Sequence, residues 1–197
     1  MRDLILASTS PRRQNLLTKM GLNFTILESQ YIEKMEGRQD ASALTAEFAL
    51  AKASSVAQKH QKAVVIGGDT VVALGDQVFG KPKDEAEARA MLDQHFGKTA
   101  VIHTALAVVC QELNIEIVEV ATARVVFKPY NEVEVEKYIQ SGDWKDKAGA
   151  WGLRSGAAPL VQSVDGDRDV ISGLPTKILA TILRDLGFDP HTVDLRP

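Results

Sequence analysis

The stretch Leu4-Ile5-Leu6-Ala7-Ser8-Thr9-Ser10-Pro11-Arg12-Arg13-Gln14 decides how this chain begins to fold. Its apolar residues predict a short strand, its hydroxyl residues a turn, and Ser10-Pro11 a helix start. The free N–H groups and the positive dipole end of that helix then face the turn. Two arginines in this position favour a bound anion, and a phosphate chain is one interpretation. An ordinary turn with two solvated arginines is the other.

Composition limits the classes of function. The 197 residues fit one large domain or two small lobes, and the net charge of −3 gives no overall positive field for nucleic acid or an anionic membrane. A phosphate site therefore has to be a local concentration of Lys and Arg. The single cysteine, Cys110, favours a reducing, cytoplasmic setting. No apolar run approaches the roughly 18 residues of a membrane span.

Strand and helix patterns alternate along the chain, which favours an α/β fold with a mixed sheet and flanking helices. The predicted strands are residues 4–7, 24–27, 63–66, 71–74, 77–79, 101–109, 115–122 and 159–164, with 123–127 extending the seventh or forming another. The predicted helices are residues 12–20, 42–59, 84–95, 132–140 and 175–186.

The run Gly67-Gly68-Asp69-Thr70 follows a buried-strand pattern directly. We expect the strand to end there, with the glycines allowing a sharp turn and close approach by a ligand. The carboxyl end of a strand is where α/β sheets place their sites. Asp69 could hold a divalent cation or act as a base on water. The alternative is an aspartate that only caps a turn.

Two lysines and a glutamate complete the candidate set. Lys81 lies between Gly80 and Pro82, a rigid frame that suits a phosphate clamp, and Lys52 lies on a predicted helix of small residues. Solvated side chains are the alternative for both lysines, and Glu33 carries no signal by itself. The P-loop, dinucleotide-binding and serine-hydrolase motifs are absent, as are zinc-ligand spacing and the interleaved aromatic and basic residues of single-strand nucleic-acid binders.

Several short motifs occur together in a fixed order. They are Ser8-Thr9-Ser10-Pro11-Arg12-Arg13, Gly67-Gly68-Asp69-Thr70-Val71-Val72, Gly80-Lys81-Pro82, Asp146-Lys147-Ala148-Gly149-Ala150-Trp151-Gly152 and Ile171-Ser172-Gly173-Leu174-Pro175. As a set they resemble the Maf family of nucleoside triphosphate pyrophosphatases. The resemblance covers nearly the whole chain and implies a single domain over residues 1–197, with two lobes around a central cleft, as in the inosine triphosphate pyrophosphatases.

The resemblance also implies an activity and roles for particular residues. The implied activity is hydrolysis of a nucleoside triphosphate to the monophosphate and pyrophosphate with Mg²⁺ or Mn²⁺. The implied role is house-cleaning of nucleotides. Members of the family are also associated with arrest of cell division, and many are dimers. The catalytic residues it implies are Asp69, Glu33, Lys52 and Lys81, with Asp69 also at the metal. The substrate-binding residues it implies are Ser8, Ser10, Arg12, Arg13, Thr70 and Arg154.

The chain departs from the family pattern at two positions. One subgroup of the family, which acts on dTTP and UTP, carries Arg, Thr and Gln at three specificity positions. This chain has Arg12 and Thr70 at the first two positions, but Arg154 at the position of the Gln. A 7-methyl-GTP subgroup has a bulky aromatic at the Arg12 position. Gly68 replaces the usual Ala. A glutamine side chain can both donate and accept hydrogen bonds, whereas an arginine only donates, so this change is not neutral at a position that reads the base. The resemblance therefore leaves open whether the substrate carries a pyrimidine or a modified base. The rival functions are a non-catalytic nucleotide-binding regulator of division and a nucleic-acid binder.

Overall fold

A computed structural model describes residues 2–34, 40–153 and 156–191. The strands are β1 (Leu4–Leu6), β2 (Thr25–Ile26), β3 (Val64–Leu74), β4 (Gln77–Phe79), β5 (Thr99–Cys110), β6 (Ile115–Phe127) and β7 (Val161–Asp165). The α-helices are α1 (Pro11–Lys19), α2 (Ala41–Ala57), α3 (Glu85–His95), α4 (Glu132–Ser141), α5 (Arg168–Ser172) and α6 (Thr176–Asp185). Two short 3-10 helices are Ala148–Ala150 and Ala158–Leu160.

The strands form one mixed sheet, as the alternating pattern predicted. Its order is β2-β1-β3-β5-β6-β7, with β4 paired to β3. β1 is parallel to β2 and β3, whereas β3, β5, β6 and β7 pair antiparallel. The long antiparallel strands form the centre of the sheet, and residues 123–127 extend β6 rather than forming a separate strand.

Side-chain alternation along the strands divides the core between the two faces of the sheet. One face packs β1, β3 and β5 against α1 and α6, through residues such as Leu6, Ile66 and Leu183. The same face, further along β3, packs against α3 and α4. The opposite face packs against α2, whose small residues Ala49 and Ala53 allow a close approach to the sheet.

The prediction that a strand ends at Gly67-Gly68 is wrong, because β3 runs unbroken from Val64 to Leu74. These glycines make room for neighbours instead of forming a turn. A Cβ on Gly67 would lie 2.3 Å from the Ala49 carbonyl oxygen of α2, and one on Gly68 would lie 3.1 Å from Arg13 Nε. The expected close approach is therefore made by this chain's own helices.

Two helix starts differ in detail from the sequence prediction. Ser10 occupies the N-cap position of α1 with Pro11 next, but its side chain makes no capping hydrogen bond. The sequence favours Ser42 as the N-cap of α2, but Asp40 caps the helix by accepting from the Ala43 N–H at 2.9 Å, and α2 begins at Ala41. Asp84 and Glu87 have the spacing of a capping box, which predicts Asp84 as the N-cap of α3; this is confirmed, since Asp84 accepts from the Glu87 N–H at 2.8 Å. The expected single domain and its lobes stay predictions, and no lobe boundary is assigned.

Candidate active site

The site lies where β3 runs past the end of β1. The β1 ladder stops at Leu6, paired with Ile66, and the β4 ladder begins at Val72, paired with Phe79. Between these ladders, Asp69 and Thr70 lie on the wall of an open cleft of about 1440 Å³. Successive side chains of a strand point to opposite faces of the sheet, so Asp69 meets Lys52 of α2 on one face and Thr70 meets Arg13 of α1 on the other.

The structure brings nine of the ten predicted site residues to this cleft. They are Ser8, Ser10, Arg12, Arg13, Glu33, Lys52, Asp69, Thr70 and Lys81. The tenth, Arg154, lies outside the described residues. Among the described lining residues, eight are basic and five are acidic, in a chain with a net charge of −3. The local concentration of Lys and Arg that a phosphate site requires is therefore present.

Arg13 is held from three directions at the base of the cleft. Its Nε donates to the Gly173 carbonyl at 2.8 Å, its Nη1 to Ser8 Oγ at 3.1 Å and its Nη2 to Thr70 Oγ1 at 3.2 Å. A guanidinium has five N–H donors, so two remain for a ligand. Burial lowers the pKa of Arg13 from its usual value, and Asp69 partly opposes this effect. The guanidinium stays charged and is oriented before any ligand arrives.

Ser8 is the hydroxyl on one side of this arginine. Its Oγ accepts from Arg13 Nη1 and also from the Ser10 backbone N–H at 3.3 Å. Both lone pairs are then used, and the Ser8 hydroxyl proton remains to donate. Ser8 therefore contributes a donor to the cleft beside Arg13, which suits an anion.

Lys52 bridges the two predicted catalytic carboxylates. Its Nζ lies 2.7 Å from Asp69 Oδ1 and 2.5 Å from Glu33 Oε1. Helix α2 presents Lys52 to β3 at this short range because Gly67 leaves no side chain between them. The third N–H of the ammonium remains for a ligand. Lys52 and Asp69 have only 13% and 7% of their side chains exposed, so the solvated alternative is wrong for Lys52.

Asp69 combines burial with an oxygen that has no hydrogen-bond partner in the described structure. Oδ1 accepts from Lys52, and Oδ2 is buried and unpartnered. Burial raises the pKa of Asp69 above its usual value, against the opposing effects of Lys52 and Arg13. A carboxylate with a raised pKa and a free lone pair can accept a proton from water or bind a cation. The turn-cap alternative for Asp69 is also wrong, since the residue lies within β3.

Arg12 and Lys147 are two further basic residues that line the cleft. Arg12 Nη2 lies 3.5 Å from the Asp146 carbonyl oxygen, and burial lowers the pKa of Arg12 while Asp146 opposes this. Lys147 is half-buried, and burial followed by the charge of Arg12 lowers its pKa. Lys147 lies in the motif 146–152, but no sequence feature indicates a role for this lysine. Lys81 lines the cleft with an exposed side chain, which leaves it accessible to a ligand.

Two further residues that support the site have no local sequence signal. The Gly173 carbonyl binds Arg13 from 160 residues away, and Thr104 Oγ1 lies 3.1 Å from Thr70 Oγ1. Thr104 looks like an ordinary strand threonine, and only its pairing opposite Thr70 gives it a role. Neither contact follows from spacing or residue type.

The described residues contain no group of three or more His, Cys, Asp or Glu side chains placed to hold a metal ion. In the same part of the chain, no helix is both long and apolar enough to cross a membrane.

Comparison with known proteins identifies the family. A family model described as Maf-like protein matches residues 3–186. The chain is 35% identical to a dTTP/UTP pyrophosphatase of Dictyoglomus thermophilum over 188 residues, covering 95% of this chain and 97% of the relative. It is 37% identical to one of Bacillus mycoides over 189 residues, covering 96% and 98%. A third, from Desulforamulus reducens, is 36% identical over 189 residues and covers 96% and 99%. With these relatives matched along nearly their whole length, the chain belongs to the Maf family.

Proposed function

We propose that this protein hydrolyses a nucleoside triphosphate, a pyrimidine or modified one, to the monophosphate and pyrophosphate. The observation that carries the proposal is the buried, unpartnered Oδ2 of Asp69 beside an arginine with unused donors. The relatives named dTTP/UTP pyrophosphatase support the same reaction. No contact in the described structure favours a non-catalytic regulator instead.

The chain's own groups can perform each part of the reaction. The free donors of Arg13, the Ser8 hydroxyl and the third N–H of Lys52 bind phosphate oxygens, and Lys81, which also lines the cleft, binds a further one. Asp69 takes a proton from water as the water oxygen bonds to the α-phosphorus. The bond from that phosphorus to the bridging oxygen breaks, and pyrophosphate leaves with the bridging oxygen. The cations stabilise the charge that develops during this step.

The donor set also fits a divalent cation, although no cluster of three ligands is present among the described residues. Asp69 Oδ2 is an available carboxylate oxygen, and Glu33 lies on the other side of Lys52. Mg²⁺ binds proteins through one or two carboxylates together with substrate phosphates, so few protein ligands are needed. When bound, the ion would neutralise phosphate charge and favour loss of a proton from water.

The decisive experiment measures pyrophosphate release from dTTP, UTP, CTP and 7-methyl-GTP, each with Mg²⁺ and with Mn²⁺. We expect release from at least one nucleotide and a loss of about 10²- to 10⁴-fold in turnover for Asp69→Asn, the contribution of a general base. Asp76→Asn is the matched control, because Asp76 is exposed in the β3–β4 turn. If no nucleotide is hydrolysed, the proposed reaction is wrong. Near-normal turnover in Asp69→Asn would remove Asp69 from the mechanism.

Base preference needs a separate variant, because Arg154 departs from the glutamine of the dTTP/UTP subgroup. The same nucleotide panel is repeated with Arg154→Gln. We expect the profile to move toward dTTP and UTP, and an unchanged profile would show that this position does not set base choice. A cytoplasmic location, a homodimer and the lack of nucleic-acid binding stay predictions of the sequence.

A further inference from the structure

Glu33 reaches the cleft from a segment that lies along one face of α2. Ser29 Oγ is 2.9 Å from Ser55 Oγ, and Glu33 Oε1 is 2.5 Å from Lys52 Nζ. Ser55 and Lys52 are three residues apart in the helix, so their side chains are neighbours on the same face. The helix that presents Lys52 therefore also positions the Glu33 carboxylate.

The Lys52 ammonium lies between two carboxylates that come from different parts of the chain. Its Nζ contacts Glu33 Oε1 on one side and Asp69 Oδ1 on the other, the second at 2.7 Å. Arg13 is the other cation whose charge acts on Asp69. Because two cations balance two carboxylates, this cluster has no net charge that would attract a divalent cation from solution.

One carboxylate oxygen of the cluster is not used by Lys52. Asp69 Oδ2 is buried and has no hydrogen-bond partner in the described structure, so it is an available ligand atom. A divalent cation shared by Asp69 and Glu33 meets the ammonium that lies between them, and the two positive charges repel each other. Before Asp69 Oδ1 or Glu33 Oε1 can bind the ion, Lys52 has to give up a charge-assisted contact, which is stronger than a neutral one.

We propose that Lys52 is the internal counter-ion of the Glu33–Asp69 pair, keeps this pair closed to a free divalent cation, and admits the ion only together with the nucleotide. The part of the inference that concerns the nucleotide rests on the proposed function. A triphosphate brings negative charge and oxygens that accept hydrogen bonds from Lys52. Lys52 then exchanges a carboxylate contact for a phosphate contact, which releases a carboxylate oxygen for the cation.

The test titrates Mn²⁺ alone into the wild type, Lys52→Met and Lys52→Arg, and measures the free ion by electron paramagnetic resonance. Methionine keeps an unbranched side chain but removes the charge, whereas arginine keeps the charge. We expect Lys52→Met to bind Mn²⁺ at least about tenfold more tightly than the wild type, the effect of one charge-assisted contact. Lys52→Arg should bind as weakly as the wild type, and so should the control Lys59→Met, at an exposed lysine outside the cleft lining.

A double variant shows where the ion binds. Adding Asp69→Asn to Lys52→Met should abolish the gain in affinity, because it removes the buried carboxylate of the pair. A gain that survives Asp69→Asn would overturn the proposal, since the ion would then bind elsewhere. Equal Mn²⁺ affinities of the wild type and Lys52→Met, or an equal gain in Lys52→Arg, would overturn it as well.

A measurement on the wild type keeps the proposal testable if circular dichroism shows that Lys52→Met does not fold. Mn²⁺ is titrated with and without saturating α,β-methylene-UTP, in which the α–β bridge resists hydrolysis. We expect the complex with the analogue to bind Mn²⁺ at least about tenfold more tightly than the protein or the analogue alone, and equally tight binding to the protein alone would overturn the proposal. If the wild type releases no pyrophosphate from any nucleotide, the proposed function fails, and the titrations with Mn²⁺ alone still test the role of Lys52.

Discussion

Replacing Gly67 with alanine tests whether the contact between α2 and β3 determines both stability and activity. The added Cβ would lie 2.3 Å from the Ala49 carbonyl oxygen, 2.9 Å from Ala53 Cβ and 3.0 Å from the Ala53 nitrogen. Two of these three atoms belong to the helix backbone and cannot rotate away. A carbon–oxygen contact of ordinary length is on the order of 3.3 Å, so α2 must move by about 1 Å.

The cost follows from overpacking. Forced shifts of this kind cost about 1–3 kcal/mol, and a backbone contact this short belongs at the upper end. For a chain of this size each kcal/mol lowers the melting temperature by about 2–4 °C, so we expect a decrease of about 6–12 °C. Because α2 also carries Lys52, the 2.7 Å contact with Asp69 lengthens and turnover decreases in the same variant.

Gly68→Ala is the matched control for this experiment. Its nearest neighbours are the Nε and Cδ atoms of Arg13, at 3.1 and 3.4 Å, and a side chain can adjust by a few tenths of an ångström. We expect a melting temperature within about 3 °C of the wild type, corresponding to roughly 1 kcal/mol. Thermal unfolding followed by circular dichroism measures both variants. Equal melting temperatures for Gly67→Ala and the wild type, or equal losses in both variants, would refute the packing argument.

Three more predictions address charge and protonation. Arg13→Lys loses the three-way attachment of the guanidinium. We expect kcat/KM for the nucleotide to fall by about 10²-fold, equivalent to one or two charge-assisted hydrogen bonds. Lys59→Arg, at an exposed lysine outside the cleft lining, should leave kcat/KM unchanged. Protonated Asp69 cannot act as the base, so the raised pKa of Asp69 makes activity rise with pH on the acid side. Glu33→Gln removes a negative charge that raises the pKa of Asp69, so the pH profile of kcat/KM should shift to lower pH in this variant. Burial lowers the pKa of His95 from 6.5 to about 4 in the folded protein. As the pH falls from 6.5 toward 4, His95 is protonated in the unfolded state but not in the folded state, so the free energy of unfolding decreases. His95→Phe should remove that component, about 3 kcal/mol, which urea unfolding at several pH values measures; an equally steep loss in this variant would contradict the assignment.

Local pattern was enough to predict most of the elements, whereas the family resemblance was needed to predict the set of site residues, with Glu33 as the clearest example. Apolar runs mark the strands, and Asp84 and Pro11 mark helix starts because capping depends on neighbouring residues only. The prediction for β3 failed at Gly67-Gly68, where glycine was interpreted as a turn signal. In the fold, the same two residues face α2 and Arg13, and the strand continues between them.

The sequence by itself determined which chemical groups this protein has and which segments form strands or helices. It supplied Arg13, Lys52 and Asp69, and the motifs that indicate the family. Only the tertiary structure decided how those groups are oriented: Arg13 is fixed by a carbonyl 160 residues away, and the Thr70 proton is directed by Thr104 and Val170. The physical reason is that hydrogen-bond direction depends on partners brought together by sheet pairing and helix packing, at separations where no local pattern carries information.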